Sequence, residues 1–153
     1  MERLTHEEAL ELLDARPVAH IGLISGDSPY VTPMSYVRDG DRILFRTEAG
    51  KKLDALRDNP AVCIEVSVFD EETGDWASVI VNGTAREATA DETKQAALDG
   101  LIEKYSDVLG DLRGTGGLQP LPGFPHVIEV SIDEISGMSS GRGFSFRTRP
   151  GRL

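Results

Sequence analysis

The sequence predicts a mainly β protein, an antiparallel β-barrel of about six strands with flanking helices. Short apolar or alternating runs recur along the 153 residues, and tight turns such as Asp39-Gly40-Asp41 separate several of them. Successive strands joined by tight turns favour antiparallel pairing. One long run also contains Gly83, and a glycine inside a strand marks a bulge or a barrel bend, which favours a barrel over an open sheet.

The first part of the chain predicts one helix followed by three strands. Thr5 and Glu8 have the spacing of a capping box, in which each side chain satisfies a free backbone N–H of the other, and Pro17 ends the helix. Pro33 marks the second strand as an edge strand or the site of a bulge, because proline cannot donate to a sheet ladder. The strands are expected over residues 18–25, 30–38 and 42–47.

The rest of the chain alternates helices with strands. Asn59-Pro60 ends a short helix, and the clean alternation that follows predicts a strand. The expected elements are a helix over residues 49–58, strands over 61–70 and 76–87, a helix over 91–106, a Gly- and Pro-rich loop over 110–123 and a last strand within 125–138. We therefore divide the chain into a barrel domain, residues 1–138, and a polar, basic tail, residues 139–153.

Composition and charge argue against several classes of function. The chain carries 26 acidic and 16 basic residues, and its net charge of −10 repels nucleic acid. No run approaches the ~18–20 apolar residues that a membrane span needs, and the polar start lacks the apolar segment of a secretory signal. Three widely spread histidines and the single Cys63 predict no metal site, and one cysteine fits a reducing, cytoplasmic compartment.

The most informative stretch for chemistry runs from Arg46 to Pro60. A strand ends there, a glycine turn follows, and a helix opens on Lys51 and Lys52. Backbone N–H groups at a helix start attract anions, whereas positive side chains are unfavourable there unless an anion neutralises them. A bound phosphate fits this pattern, with the hydroxyl of Thr47 as a further donor, and two solvated lysines on a surface helix are the alternative.

This stretch resembles the pyridoxamine 5′-phosphate oxidase-like superfamily, the FMN-binding split barrels. The resemblance covers roughly residues 5–137 and is closest to the small actinobacterial-type and nitroimidazole-resistance-type branches. The order and spacing of the segments carry it, since no single motif decides. The segments are Pro29 to Val37, Ile43 to Thr47, Gly50 to Leu53, Leu56 to Pro60, Val62 to Asp70 and Trp76 to Ala85.

The resemblance implies a homodimer with FMN at its interface, so that residues of both chains build each site. Lys51 and Lys52 match the basic pair that holds the FMN phosphate, and Thr47 matches the hydroxyl that joins them. Some relatives carry a histidine where this chain has Arg46, which is a further candidate. The strand whose backbone edges the isoalloxazine ring matches Pro33, Met34 and Ser35, and a polar position near FMN on the long strand matches Ser78.

The function that the resemblance implies is a flavin-dependent oxidoreductase that passes electrons or hydride from reduced FMN to a small organic acceptor. The sequence identifies no catalytic acid or base, although His20 is one candidate to meet a substrate. Residues 137–144 do not match the Arg-rich C-terminal segment of true pyridoxamine phosphate oxidases, so the resemblance does not extend to that substrate. The alternatives are a flavin-storage or sensor protein without turnover, and a deazaflavin-dependent reductase on the same fold.

Overall fold

The computed structural model describes residues 1–109 and 126–141, and it confirms a mainly antiparallel β fold with flanking helices. The helices are α1 His6–Ala15, α2 Lys51–Asp58 and α3 Asp91–Leu109. The strands are β1 Glu2–Arg3, β2 Ala19–Ser25, β3 Ser28–Met34, β4 Val37–Asp39, β5 Arg42–Thr47, β6 Ala61–Phe69, β7 Trp76–Glu87 and β8 His126–Ser139. The predicted loop over residues 110–123 lies outside the described residues, as does the tail from residue 142 onward.

The described sheet has eight strands, so the expectation of about six was too low. One of the two extra strands comes from residues 30–38, which we predicted as one strand and which the structure divides into β3 and β4 at Ser35 and Tyr36. The division has a physical cause, because the backbone N–H of Tyr36 donates to the hydroxyl of Tyr105 and not to a neighbouring strand. The other unpredicted strand, β1, is only two residues long and carries no apolar pattern.

The sheet closes into a barrel through the chain itself. The strand order is β3-β2-β6-β7-β8-β5-β4, and the two strands at its ends, β3 and β4, are separated in sequence only by Ser35 and Tyr36. The sheet must therefore curl until its two edges meet at this short connection, which we call the β3–β4 junction. Pro33 lies on β3, an edge strand that pairs only with β2, as its lack of an N–H predicted.

Strand β8 holds three other strands together. One edge of β8 pairs with β7 from Ile128 to Ser139. The opposite edge pairs first with β5, from His126 to Ser131, and then with β1 at Met138 and Ser139. The register with β7 shifts between Asn82 and Gly83, which confirms the predicted bulge. A Cβ at Gly83 would lie 2.1 Å from the carbonyl oxygen of Ser131, so only glycine fits where the two strands approach this closely.

Helices cover the barrel, and their starts and ends follow local rules. The capping box of α1 is confirmed, since the Thr5 hydroxyl accepts from the Glu8 N–H and the Glu8 carboxylate accepts from the Thr5 N–H. α3 packs on the outside of the barrel, where Ala97 joins Leu44 and Val127 in a second, smaller core. None of the helices in the described part of the chain is both long and apolar enough to cross a membrane. The largest completely buried side chains include Tyr36, Phe45, Leu12, Leu13, Ile21, Ile43, Leu53 and Ile64.

Candidate functional site

The connection from β5 to α2, residues 47–52, forms an open helix start that we call the β5–α2 turn. Gly50 is the N-cap of α2 and has φ +157°, a backbone conformation that residues other than glycine rarely adopt. No side chain in the described part of the chain caps this helix. The first backbone N–H groups of α2 therefore remain available to an anion. Burial of Leu53 and Leu56 against the barrel fixes the helix in this position.

The two lysines of the turn both lie on aromatic rings but differ in exposure. Lys51 is exposed, and its Nζ lies 4.4 Å from the centroid of the Tyr30 ring on β3. Lys52 is half-buried, with its Nζ 5.7 Å from the centroid of the Phe45 ring on β5, and burial lowers the pKa of its ammonium. Among the side chains of residues 1–106 and 126–141, neither ammonium forms a salt bridge with a carboxylate. Two cations thus lie at a helix start, where the helix dipole opposes them.

The other predicted phosphate contacts lie on opposite faces of β5. Phe45 and Thr47 are buried on the barrel side, and alternation along the strand places Arg46 on the outer side with Leu44. The hydroxyl of Thr47 donates to the carbonyl of Glu48 at 3.2 Å, so an incoming anion would have to compete with that local bond. The structure brings Thr47 together with the two lysines of the turn, and it places Arg46 on the other side of the strand.

The segment predicted to edge the flavin ring ends at the β3–β4 junction. Pro33 and Ser35 are exposed, whereas the side chain of Met34 is buried in the barrel core. Met34 can therefore offer a ligand only its backbone, as the resemblance implied for this strand. Both edges of the barrel meet here, between two exposed residues, Pro33 and Ser35.

Ser78 lies apart from these residues within one chain. It is on the outer face of β7, opposite Ser67 on β6 and Met138 on β8. In the strand order, β2 and β6 separate β7 from β3, which corresponds to roughly 14 Å between strand axes. One chain therefore does not unite all of the predicted cofactor contacts.

A histidine–glutamate pair beside Pro33 is a feature that sequence reasoning did not find. His20 on β2 lies directly opposite both Pro33 on β3 and Glu65 on β6. Its Nδ1 is 3.3 Å from Oε2 of Glu65, and the ring is about half exposed on the outer face. Both residues occupy outward positions of predicted strands, but the pairing of β2 with β6 could not be read from the sequence.

A small cavity lies at the other end of α2 and also went unpredicted. Its volume is about 200 Å³, and Leu53, Leu56, Ala85 and Ile128 form its apolar wall, with Arg57, Pro60, Arg86 and Glu87 completing the lining. Glu87 bridges Arg57 at 2.9 Å and His126 at 2.6 Å, and these hydrogen bonds, that from Arg57 foremost, lower the pKa of its carboxyl. This volume is below the ~300–1,000 Å³ typical of ligand sites, so the β5–α2 turn is the better candidate for a ligand.

The family model described as pyridoxamine 5′-phosphate oxidase matches residues 5–139 of this chain. The chain belongs to the pyridoxamine 5′-phosphate oxidase family. A relative in Rhizobium meliloti (strain 1021), an uncharacterized protein, is 27% identical over 149 residues, which are 92% of this chain and 95% of that one.

Two solved structures share the fold of this pyridoxamine 5′-phosphate oxidase family member. The FAD-binding protein of Mesorhizobium loti has a TM-score of 0.71 and 23% identity, with 92% of this chain and 98% of that chain covered. The FAD-binding protein of Mycobacterium smegmatis has a TM-score of 0.64 and 23% identity, with 91% and 98% covered. At these identities the likeness shows the fold, which is the split barrel that the resemblance implied.

Proposed function

We propose that this chain binds FMN between two copies of itself and passes electrons or hydride from the reduced flavin to a small organic acceptor. The observation that carries the proposal is the β5–α2 turn, where two lysines and uncapped backbone N–H groups converge without a carboxylate partner among the described residues. A terminal phosphate is the ligand group that neutralises such a site. The flavin-binding proteins with the same fold support a flavin as its carrier.

The donor set fits a phosphate monoester. Lys52 is half-buried, and the loss of water around its ammonium disfavours the charged form and lowers its pKa. A phosphate beside the ammonium would favour the charged form again. Lys51, the hydroxyl of Thr47 and the first N–H groups of α2 would supply the remaining donors. The exposed backbone of Pro33 and Ser35 would edge the ring.

A second copy of the chain would complete the site. The outer face of the sheet displays large apolar side chains, with Val31 65% exposed on β3, Phe69 64% on β6 and Ile80 46% on β7. Apolar groups collected on one face of a sheet are typical of a surface that another protein covers. Ser78 lies on this same face, so that the partner's Ser78 could approach a flavin whose phosphate is held at the β5–α2 turn of the first chain.

FMN, when bound, would supply the electron chemistry, and the chain would bind, orient and shield it. His20 lies opposite Pro33, and in its imidazolium form, with Nδ1–H donating to Glu65, its Nε2–H would be placed to give a proton to an acceptor lying over the ring. We expect the protein in the cytoplasm, since its single cysteine, Cys63, fits a reducing compartment, and we expect neither nucleic acid nor membrane among its partners.

Binding measurements test the phosphate assignment. We expect calorimetry to give FMN at least about tenfold higher affinity than riboflavin, because charge-assisted hydrogen bonds contribute about 1.5–3 kcal/mol each. FAD, titrated alongside, tests whether an internal diphosphate serves as well as a terminal phosphate. Equal affinities for FMN and riboflavin would overturn the assignment, and the absorption spectrum of the purified protein separates a flavin from a deazaflavin.

Two further measurements test the assembly and the turnover. Light scattering at micromolar concentration should give a dimer, and a monomer with flavin bound would contradict the shared site. Repeated reduction of an acceptor with NADH or NADPH as electron source would support an oxidoreductase. Bound flavin that is reduced once without further turnover would support storage or sensing.

A further inference from the structure

The β3–β4 junction is fixed from inside the molecule by Tyr36. This side chain is completely buried, and its hydroxyl donates to the carbonyl of Leu13 in α1 at 2.5 Å. In a continuing helix that carbonyl would accept from the residue four positions later, but Pro17 stands there and has no N–H. Tyr36 therefore satisfies an acceptor that the end of α1 leaves open, which ties the junction to that helix.

The same junction is fixed from outside by one hydroxyl of α3. The oxygen of Tyr105 accepts from the Tyr36 backbone N–H at 3.1 Å, and its proton goes to the carbonyl of Pro17 at 2.6 Å. The same hydroxyl lies 3.3 Å from the carbonyl oxygen of Tyr36. A single group thus joins α3, the segment after α1 and the backbone of Tyr36 in the junction.

Lys104, the neighbour of Tyr105, lies over the same tyrosine ring. Its Nζ is 3.5 Å from the centroid of the Tyr36 ring and 5.6 Å from that of Tyr105. Among the side chains that the structure describes, the Nζ of Lys104 is the only buried nitrogen or oxygen atom without a hydrogen-bond partner. The ammonium is thus held by two aromatic faces, and Asp14 of α1 is the charged group that acts on it.

We propose that Tyr105 and Lys104 of α3 are positioning residues for the ring-binding edge of the site, because they hold Tyr36, and through it the backbone of the adjoining Ser35, in place. The inference rests on the proposed function. It gives α3, a helix that we do not expect to contact the flavin, an indirect part in binding it. It predicts that changes in α3 weaken the binding of the flavin ring and leave the binding of the phosphate unchanged.

The test compares Tyr105→Phe with Ser106→Ala, each measured for FMN and riboflavin affinity by calorimetry and for the visible circular dichroism of the bound flavin. Ser106 is a matched control, since within the described residues its hydroxyl donates to the carbonyl of Ile102 in the same helix and to no group of the junction. Tyr105→Phe should weaken both ligands by about fivefold or more in equal proportion and alter the dichroism band. Ser106→Ala should leave all three readouts unchanged.

The outcomes separate the inference from the function on which it rests. Wild-type protein that binds neither flavin would overturn the proposed function. Wild-type binding together with unchanged affinities and dichroism in Tyr105→Phe would overturn the positioning role alone, as would a loss confined to FMN. If Tyr105→Phe fails to fold, Lys104→Met repeats the test, because it keeps every hydroxyl and the apolar stem, and an unchanged dichroism band there would count equally against the inference.

Discussion

At two places in this molecule a lysine ammonium lies over a tyrosine ring, and the two ammonium groups differ in their exposure to solvent. At the β5–α2 turn, Lys51 reaches over Tyr30 from an exposed position. At the β3–β4 junction, Lys104 reaches over Tyr36 with its Nζ buried, and burial lowers the pKa of its ammonium to about 8. The residue pair is the same, but only the first leaves its cation able to meet a ligand. Burial therefore decides whether such a contact serves binding or packing.

The largest expected effect distinguishes the two tyrosines. Tyr36→Ala should lower the free energy of unfolding by about 3–5 kcal/mol, because it empties a completely buried site and leaves the Leu13 carbonyl without a donor. Tyr30 is half-buried on β3, under Lys51 of the turn, and Tyr30→Ala should lower the free energy of unfolding by about 1 kcal/mol. Urea unfolding of both variants gives the comparison, and equal losses would mean that the junction is no more tightly built than the turn.

The next effect is on ligand affinity at the turn. Lys52→Ala should weaken FMN about tenfold, or ~1.4 kcal/mol, while the fold stays intact and riboflavin affinity stays unchanged. Lys51→Ala is the matched variant and should have the smaller effect, since adjacent helical side chains diverge by ~100° and cannot contribute equally. Added salt should weaken the wild type more than Lys52→Ala. If Lys52→Ala unfolds, or if it binds FMN as tightly as the wild type does, Lys52 does not hold the phosphate.

The smallest effect is a dependence of stability on pH at the junction. Above about pH 8 the folded chain has released the Lys104 proton, while the unfolded chain still holds it, so the free energy of unfolding should rise by about 1–2 kcal/mol toward pH 10. Above about pH 10 it should fall, because burial raises the pKa of Tyr36 and only the unfolded tyrosine ionises. Urea unfolding across this range checks both limbs. Lys104→Met should remove the rise in the free energy of unfolding and keep the fall above pH 10. A rise that persists in this variant would mean that another group causes it.

Local patterns predicted most of the fold. The capping box at Thr5, the edge position of Pro33 and the bulge at Gly83 are all confirmed, because each depends on backbone chemistry that a short segment already contains. The break at Ser35 and Tyr36 was missed because its cause is distant in sequence. The hydrogen bond that replaces strand pairing there comes from Tyr105, a residue on α3.

The candidate site was predictable in part for the same reason. Residues 46–52 lie together in sequence, so a phosphate-binding turn could be inferred from one stretch, and its role remains a prediction. The pairing of His20 with Glu65 depends on which strands become neighbours, and no local pattern specifies that. Lys104 lies three residues after buried Leu101 and beside Tyr105, at the border of a helical stripe, where a sequence alone does not show whether the amine reaches solvent.

The position of β8 in the chain has a consequence during synthesis. Its residues, 126–139, emerge after the other strands of the described sheet. β1 finds its partner strand only there, and β5, which pairs with β4 along one edge, finds the partner for its other edge there. Until they emerge, one edge of β7 and the only β8-facing edge of β5 stay unpaired, about 80 residues behind the ribosome in the case of β5. The nascent chain must therefore carry exposed strand edges through most of its translation, and unpaired edges of this kind are the places where pairing with other chains and aggregation begin.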